Sequence, residues 1–553
     1  MITSKYLPAL TAVLLCICLV GSGLLAYLAD GATPLAGAST TTSGFLSTGS
    51  TTKYQDRLFG DTIISLDIQV DEDDWQALLD NARAKDWIAV DLIINGERFS
   101  TVGIRTKGNS SLSQVVSSDS DRYSLQIKFN KYVKGQTYYG LDTFCINNLM
   151  GDATYMKDYL SYKIMEYIGV PTPLVNYASV TVNGKDYGFC LALERYDKAF
   201  LSRVYDTSAG QLYNVKVKMG MREDFENLWQ DVANGMPNRP QGNGGGGNAR
   251  PGGAGGSIGS GGGSLVYTDD KISSYSAILS NAVFSSITDK DKQRVITAIE
   301  NLNSGTDLEK YFDVDEILRY FAAHTVVVNL DSYSSNMQQN YYIYERDGKI
   351  SILPWDYGLA FGGFQASDAS SVVNFPIDTP VSGVSMEDRP LLNKLLEIDE
   401  YRERYHKYLR QIVEGFFESG LFEKTITQLD ARINEYVKRD VSAFYTYAQY
   451  QASLPHLIEL GRLRALSIRG QLEGTIPSTS SGQNANRTAL IDASSVNLSA
   501  LGSIMGGGGM GQGGMNPGGG VNPGGGVNPG GGMGQGGAPQ GNWQREDAVF
   551  PRQ

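Results

Sequence analysis

The chain has 553 residues, a formal net charge of -12 and 65 glycines. Its length allows a substantial core and exceeds one typical domain, whereas the acidic balance and the lack of a clustered run of Lys and Arg exclude a broad nucleic-acid-binding surface. Four cysteines and three histidines leave little material for a zinc site or a Ser-His-Asp triad.

An apolar stretch opens the chain. Residues 6–28 follow Lys5 with few polar interruptions and are long enough to cross a bilayer as a helix. Residues 1–29 are therefore predicted to be either a cleaved signal peptide or a retained signal anchor. With Lys5 on the cytoplasmic side, the main domain is predicted to be extracytoplasmic, either membrane-anchored or secreted. Residues 30–59 are rich in Thr, Ser, Gly and Ala and are predicted to be a flexible linker.

Alternating apolar residues indicate a strand-rich section over residues 60–200. Ile64, Leu66 and Ile68 alternate along the first strand, and Asn95-Gly96 and Asn183-Gly184 are typical two-residue hairpin turns. A single long amphipathic helix is predicted over residues 156–168. The strand-rich section ends where helical patterns begin to dominate.

Two cysteines, Cys145 and Cys190, lie in this section. They could form one disulfide if the domain lies outside the cell. The interpretation that we favour is two buried thiols on neighbouring strands.

Two places in the strand-rich section are candidate phosphate-binding sites. Residues 105–111 leave a strand for a small polar loop, where backbone amides and two basic side chains could surround phosphate oxygens; the alternative is an ordinary strand-to-loop exit. Lys128 ends another strand, where a lysine is usually a surface residue but where protein kinases place the lysine that pairs with nucleotide phosphates. Asp158 and Glu166 are candidate acidic partners of Lys128.

Helical patterns dominate residues 201–475. A Gly-, Asn- and Pro-rich insertion at residues 234–263 is predicted to be disordered, because it cannot bury enough apolar surface to offset chain entropy. His324 lies near the apolar face of a predicted helix and is interpreted as a packing residue. After Thr475, order is predicted to fade into a low-complexity tail over residues 476–553.

The stretch from Asn329 to Gly363 carries the candidate chemistry. Asp331 follows an apolar run, two short strands join at the favoured hairpin turn Asp347-Gly348, and Asp356-Tyr357-Gly358 follows the second strand. Protein kinases have the same order of a catalytic Asp, an Asn five residues later, a hairpin, and an Asp-Phe-Gly motif that binds magnesium. Asn336 lies five residues after Asp331. Each Asp alone could be a turn or capping carboxylate, but their spacing around one hairpin favours a shared site.

Together these segments resemble the CotH kinase family. The resemblance covers about residues 60–475 and implies an α+β, two-lobed, atypical protein-kinase-like fold with a strand-rich N-lobe (60–200) and a helical C-lobe (201–475). It also implies binding of ATP with Mg²⁺ or Mn²⁺ and phosphorylation of Ser or Thr in protein substrates. The segments that carry it are residues 105–111, 123–130, 159–173 ending in Ile-Gly-Val-Pro-Thr-Pro, 182–194, 329–363, and the helices containing Arg-Pro-Leu-Leu-Asn-Lys-Leu-Leu and Arg-Gly-Gln-Leu-Glu-Gly.

The resemblance further implies residue roles. Asp331 would accept or orient the acceptor hydroxyl, Asp356 would bind the metal ion, and Asn336 or its rival Asn340 would supply an amide oxygen to a metal ion. Lys128 would hold the phosphates, and the backbone from Glu194 to Tyr196 would meet adenine as a hinge. Weaker candidates for phosphate binding are Arg105, Lys107, Asn109, Ser110 and Ser111.

Two other functions remain open. A fold does not prove chemistry, so the chain could be a non-catalytic cell-surface or spore-coat interaction protein that keeps a kinase-like scaffold. The apolar N-terminal segment and the glycine-rich tail motivate this alternative, since ATP is scarce outside cells. A third hypothesis keeps the nucleotide but transfers AMP rather than phosphate.

Overall fold

A closed barrel of seven strands forms the first part of the molecule in the computed structural model, which describes residues 53–216 and 261–503. The strand order around the barrel is β1-β2-β3-β4-β5-β7-β6, and β1 closes it by pairing with β6 in parallel. All other neighbours are antiparallel. The strands are β1 (Ile64–Gln69), β2 (Ile88–Ile94), β3 (Glu97–Lys107), β4 (Ser124–Lys128), β5 (Thr143–Asn147), β6 (Val175–Val182) and β7 (Lys185–Glu194).

Short and medium helices accompany the barrel. The helix at residues 72–80 is capped by Asp71, whose carboxylate accepts from the Asp73 and Asp74 amides, as expected for an N-cap residue. The helix at 157–167 agrees with the one predicted at 156–168. The helices are α1 (Lys53–Leu58), α2 (Glu72–Asp80), α3 (Ser110–Val116), α4 (Lys157–Tyr167) and α5 (Lys198–Tyr205).

A three-stranded antiparallel sheet and a set of helices form the second part. The sheet order is β10-β9-β8, so β8 joins a hairpin that follows it by more than a hundred residues. Its strands are β8 (Gln211–Val215), β9 (Tyr341–Arg346) and β10 (Lys349–Pro354). The helices are α6 (Ser276–Leu279), α7 (Asp289–Ser304), α8 (Leu308–Tyr311), α9 (Val314–Val327), α10 (Ala369–Val373), α11 (Pro390–Leu396), α12 (Asp399–Ile412), α13 (Leu421–Arg439), α14 (Tyr447–Leu472) and α15 (Ser480–Ala485).

Three two-residue turns set the register of three hairpins. Asn95-Gly96, Asn183-Gly184 and Asp347-Gly348 all have positive φ at both positions, which is the conformation that matches the twist of the flanking strands. Asn, Asp and Gly tolerate this backbone region better than other residues. The three hairpins predicted from these dipeptides are therefore confirmed.

Two buried apolar clusters hold the structure together. One fills the barrel with residues such as Leu66, Leu92 and Ile127. The other lies among the helices, the three-stranded sheet and the outward face of β7, where Leu191 and Leu193 contribute. Successive side chains of β7 point to opposite faces of the strand, so one face packs in the barrel and the other packs against the helical part.

The predicted α+β class is confirmed, and several boundaries need correction. The linker predicted to reach residue 59 ends earlier, because α1 buries Tyr54 and Leu58. The tail predicted from residue 476 starts too early, because the chain is described as far as residue 503 and buries Val496 and Leu501. Packing against distant helices, which local composition does not encode, explains both differences.

The predicted signal or anchor segment and most of the 234–263 insertion lie outside the described residues. Within residues 53–216 and 261–503, no helix combines the length and the apolar character needed to cross a membrane. Cys145 on β5 and Cys190 on β7 are buried free thiols on adjacent strands, which confirms the favoured interpretation of this pair.

Candidate active site

Asp331 lies in a loop that begins where α9 ends. Its side chain is half-buried and accepts hydrogen bonds from the amide groups of Gln339 at 2.8 Å and Asn340 at 2.9 Å. Burial and the negative charge of Asp356 together raise the pKa of Asp331 to about 6, although the hydrogen bonds from Gln339 and Asn340 lower it. The carboxylate is thus oriented by two amides and titrates near neutral pH.

A buried arginine fixes the loop that carries Asp331. The Arg389 guanidinium is 1% exposed and donates to the carbonyl oxygens of Tyr333, at 2.7 Å, and Ser335. Arg389 precedes α11 and belongs to the Arg-Pro-Leu-Leu segment of the sequence. It therefore ties the loop that carries Asp331 to the helical part of the molecule.

Asp356 follows β10 in a left-handed turn. Its φ is 61°, a backbone region that Asp tolerates better than most residues. The side chain is exposed to solvent, yet the protein around it raises the pKa of Asp356, while Lys107 lowers it. The Asp356 carboxylate is therefore accessible to a ligand although nearby protein atoms make its ionised form less favourable.

A buried amide joins the two aspartates. Asn329 accepts from the backbone amide of Asp331 at 3.2 Å and donates to the carbonyl oxygen of Asp356 at 3.1 Å. It is completely buried. Asn329 therefore fixes the separation of the two segments, a role that depends on contacts across the fold and could not be predicted from the sequence.

His324 makes a second link between the same segments. Its Nδ1 lies 2.8 Å from the Tyr357 hydroxyl, and its Nε2 lies 2.9 Å from Ser334 Oγ and 3.0 Å from Ser332 Oγ. Burial lowers the pKa of His324 to about 3, so the imidazole is neutral at ordinary pH. The predicted packing role is confirmed in part, because the ring also connects the segments that carry Asp331 and Asp356.

Asp158 on α4 is an acidic group of the site that sequence reasoning assigned to a different partner. Its Oδ1 accepts the Tyr357 amide at 2.7 Å, and its side chain is buried. The pKa of Asp158 is raised to about 7, because burial and the charge of Asp356 outweigh the lowering effect of Lys107. Asp158 thus holds the turn that contains Asp356 and adds a second carboxylate beside it.

Lys107 is the lysine that interacts with both carboxylates. It ends β3, where it pairs in register with Ser124, and its Nζ contacts Asn147 on β5. Its positive charge lowers the pKa of both Asp158 and Asp356. Lys107 is therefore the strongest of the predicted phosphate-binding candidates.

Lys128 lies further along the same barrel face. It pairs with Gly103 and Thr143, four residues along β4 from the register position of Lys107, which corresponds to about 13 Å. Its predicted acidic partners are engaged elsewhere, since Glu166 pairs with Lys163 at 2.7 Å and Asp158 contacts Tyr357. The charge that lowers the pKa of Asp356 is that of Lys107.

Several more basic residues lie near Lys107. Burial and the charges of four neighbouring cations together lower the pKa of Lys216 to about 8. Arg195 lies 5.7 Å from the ring centroid of Trp355, the residue before Asp356. The five basic residues of this cluster are Lys85, Arg105, Lys107, Arg195 and Lys216.

The remaining predicted residues are placed as follows. Asn109 accepts from Lys85 at 2.9 Å, while Ser110 and Ser111 begin α3 rather than the predicted loop. Glu194 is fully buried and pairs with Arg203 at 2.6 Å. Asn336 accepts from Gln365 at 3.0 Å, so of the two rival amides only Asn340 contacts Asp331.

The donor set is compatible with a hard divalent cation. Within residues 53–216 and 261–503 there is no group of three or more His, Cys, Asp and Glu side chains that could hold a metal ion. Asp356 and Asp158 provide two carboxylates, and Mg²⁺ is usually bound by one or two carboxylates together with substrate phosphates. The basic cluster beside them has the charge that those phosphates require.

Comparisons with known proteins agree with the resemblance seen in the sequence. The CotH kinase protein family matches residues 104–468. Inner spore coat protein H of Bacillus subtilis (strain 168) is 20% identical over 318 residues, which cover 56% of this chain and 72% of that protein. The family match includes Lys107, Asp158, Asp331 and Asp356, and the chain belongs to the CotH kinase protein family.

Proposed function

We propose that this chain is an atypical protein kinase that transfers the γ-phosphate of ATP to Ser or Thr hydroxyls of coat or surface proteins. The observation that carries the proposal is the link through Asn329, which bonds to the backbone of both Asp331 and Asp356. Phosphoryl transfer needs an oriented hydroxyl and neutralised phosphate charge in one place. The barrel and the helical part would then correspond to the two lobes of a kinase-like fold.

In this proposal each residue has a role that follows from its charge and position. Asp331 would accept or orient the acceptor hydroxyl, because two amides hold its carboxylate and its pKa is near 6. Lys107, with Arg105 and Arg195, would bind phosphate oxygens. Asp158 would hold the Asp356 turn through the Tyr357 amide.

Asp356 would hold Mg²⁺ or Mn²⁺, with Asp158 adding negative charge and Asn340 the candidate amide ligand. When bound, such an ion would supply positive charge that neutralises the phosphates of the nucleotide. We assign this role to Asn340 rather than Asn336, because the Asn340 side chain donates a hydrogen bond to the Asp331 carboxylate. Adenine would meet the chain after β7, where Arg195 and Tyr196 follow Glu194.

Location and acceptor follow from the same proposal. The apolar segment at residues 6–28 supports an extracytoplasmic protein, anchored or secreted, and the name of the Bacillus subtilis relative supports a spore coat. That name also favours a second candidate function, in which the chain is a non-catalytic coat scaffold. Nucleotide chemistry separates the two candidates.

The test measures nucleotide binding to the purified chain with and without Mg²⁺ or Mn²⁺. We expect ATP to bind with a cation-dependent increase in affinity, and we expect the Asp356→Asn variant to lose that increase. Mass spectrometry of labelled acceptors would then distinguish a transferred phosphate from transferred AMP. A folded protein that binds no nucleotide under either condition would support the scaffold instead.

A further inference from the structure

The described chain continues beyond the family-matched region and returns to the active site. Residues 476–503, called here the C-terminal strap, follow α14 and lie outside the match at 104–468. The strap buries Ile476, Ala493, Val496 and Leu501. It is thus an integral part of the packed molecule.

A buried asparagine holds the middle of the strap. Asn374, which follows α10, accepts from the Ile491 amide at 2.9 Å and donates to the Ile491 carbonyl oxygen at 3.0 Å. Its own carbonyl oxygen accepts from Gln483 at 2.8 Å. These paired bonds fix the course of the strap across the helical part.

The end of the strap contacts both segments that present the acidic groups. The Leu501 carbonyl oxygen accepts from the Ala153 amide at 3.2 Å, and the Gly502 carbonyl oxygen accepts from Lys157 Nζ at 3.0 Å. Ser503 Oγ donates to the Gly363 carbonyl oxygen at 3.2 Å. Lys157 immediately precedes Asp158, and Gly363 lies in the loop after Asp356-Tyr357-Gly358.

The Lys157 contact makes the strap costly to displace. Lys157 is fully buried, and its Nζ donates to the carbonyl oxygens of Gly151 and Gly502. A buried ammonium that loses one of its acceptors is poorly compensated. Displacement of the strap would therefore disturb the first turn of α4, where Asp158 lies.

We propose that the C-terminal strap is a positioning element of the active site, holding α4 and the loop after Gly358 so that Asp158 and Asp356 share one cation-binding geometry. This inference rests on the proposed function for its consequence in catalysis. Its structural part, that the strap orders these two segments, can be measured without activity. Full cation-dependent function would then require residues beyond the family-matched region.

The test uses a pair of glycines with positive φ in the full chain. Gly502 has φ +81°, and a Cβ added there would lie 2.6 Å from the Ala153 amide nitrogen and 3.0 Å from the Gly151 carbonyl oxygen. Gly474, just before the strap, has φ +76° and nothing within 4 Å of an added Cβ. Gly502→Ala should displace the end of the strap, whereas Gly474→Ala is the matched control.

We expect Gly502→Ala to raise the Mg²⁺ or Mn²⁺ concentration needed for half-maximal ATP binding by about 10- to 100-fold, as is typical when support for a metal ligand is lost. ATP affinity without a cation should stay the same. Hydrogen exchange should speed up in residues 153–158 and 356–363. Gly474→Ala should match the wild type in all three measurements.

Leu498→Ala is a milder second variant, because Leu498 packs against Gly362 in the same loop. It should give smaller changes in the same direction and keeps the test decisive if Gly502→Ala does not fold. Unchanged cation dependence and exchange in a folded strap variant, or equal changes in Gly474→Ala, would overturn the inference. If the wild type showed no cation-dependent binding, the proposed function would fail, and hydrogen exchange alone would decide the role of the strap.

Discussion

Burial and the neighbouring charge of Asp356 suit Asp331 to its proposed role as a base. A carboxylate with a pKa near 6 is ionised at neutral pH and remains a usable base. Two amide donors fix its orientation. The consequence can be tested through pH and substitution.

The first prediction concerns Asp331. In the proposed mechanism the ionised form of Asp331 accepts or orients the acceptor hydroxyl, so kcat/KM for phosphate transfer should fall as the pH drops below about 6. Asp331→Asn should lower the rate by about 10²- to 10⁴-fold, the usual contribution of a general base, and should remove this pH dependence. Initial rates between pH 5 and 8 provide the measurement. A rate that is independent of pH across this range would contradict the assignment.

The second prediction separates the two lysines. Lys107→Met should weaken cation-dependent ATP binding by about 10-fold or more, since a charge-assisted hydrogen bond contributes roughly 1.5–3 kcal/mol. Lys128→Met is the matched control and should change the affinity by less than about twofold, because Lys128 lies about 13 Å along the face. Titration calorimetry measures both affinities. The reverse order would restore Lys128 as the phosphate lysine.

The third prediction uses the raised pKa of Asp158, about 7 against an ordinary value of 3.8. The folded protein binds this proton more tightly than the unfolded chain. The free energy of unfolding of the metal-free protein should therefore fall as pH rises from about 4 to about 7.

Asp158→Asn removes this titration and keeps an oxygen that can accept the Tyr357 amide. The variant should gain stability relative to the wild type as pH rises from 5 to 8, by at least about 1.4 kcal/mol, the equivalent of one pKa unit. Denaturant unfolding in a chelator measures the difference. An equal difference at both pH values would mean that Asp158 is ionised throughout this range.

At the scale of elements, a buried ion pair connects the barrel with the helical part. Arg122, just before β4, lies 2.6 Å from Asp440, just after α13, and their side chains are 1% and 0% exposed. Arg122 also donates to the Phe189 carbonyl oxygen on β7. Arg122 lies two residues before Ser124, the register partner of Lys107, so this pair ties the end of the barrel near Lys107 to the helical part.

The fourth prediction tests this connection. Arg122→Met should lower the free energy of unfolding by about 3–5 kcal/mol, because it leaves Asp440 buried without a counter-charge. The double variant Arg122→Met with Asp440→Asn should recover part of the loss. Denaturant unfolding of the single and double variants gives the coupling. A loss below about 1 kcal/mol in Arg122→Met would show that the pair adds little to the connection.

Local elements could be predicted from the sequence to different extents. The Asn-Gly and Asp-Gly turns encode their hairpins through two residues that tolerate positive φ. The parallel closure of β1 on β6 could not be predicted, because that pairing is non-local.

The candidate site, too, could be predicted from the sequence only in part. The order of Asp331, the hairpin and Asp356 indicated a shared site from sequence alone. Asn329 and Asp158 were missed as its supports, because their roles depend on contacts across the fold. Lys107 and Lys128 both end strands, and only barrel register separates them.

At the scale of the whole molecule, segments outside the family match support the site from both sides. Tyr54 of α1 donates to Glu194 at 2.5 Å, near the proposed hinge, and the C-terminal strap reaches Lys157 and Gly363. The family-matched region at 104–468 also lacks β1 and β2, which close the barrel. The functional unit is therefore expected to extend over the whole described chain.

The most direct test of the central claim is transfer of labelled phosphate from ATP to a protein acceptor by the full chain with Mg²⁺ or Mn²⁺. We predict transfer to Ser or Thr by the wild type, and a loss of at least about 100-fold in both Asp331→Asn and Asp356→Asn. Unfolding midpoints of the variants serve as the folding control. Equal labelling by the wild type and both folded variants would contradict the claim that these two aspartates form a phosphotransferase site.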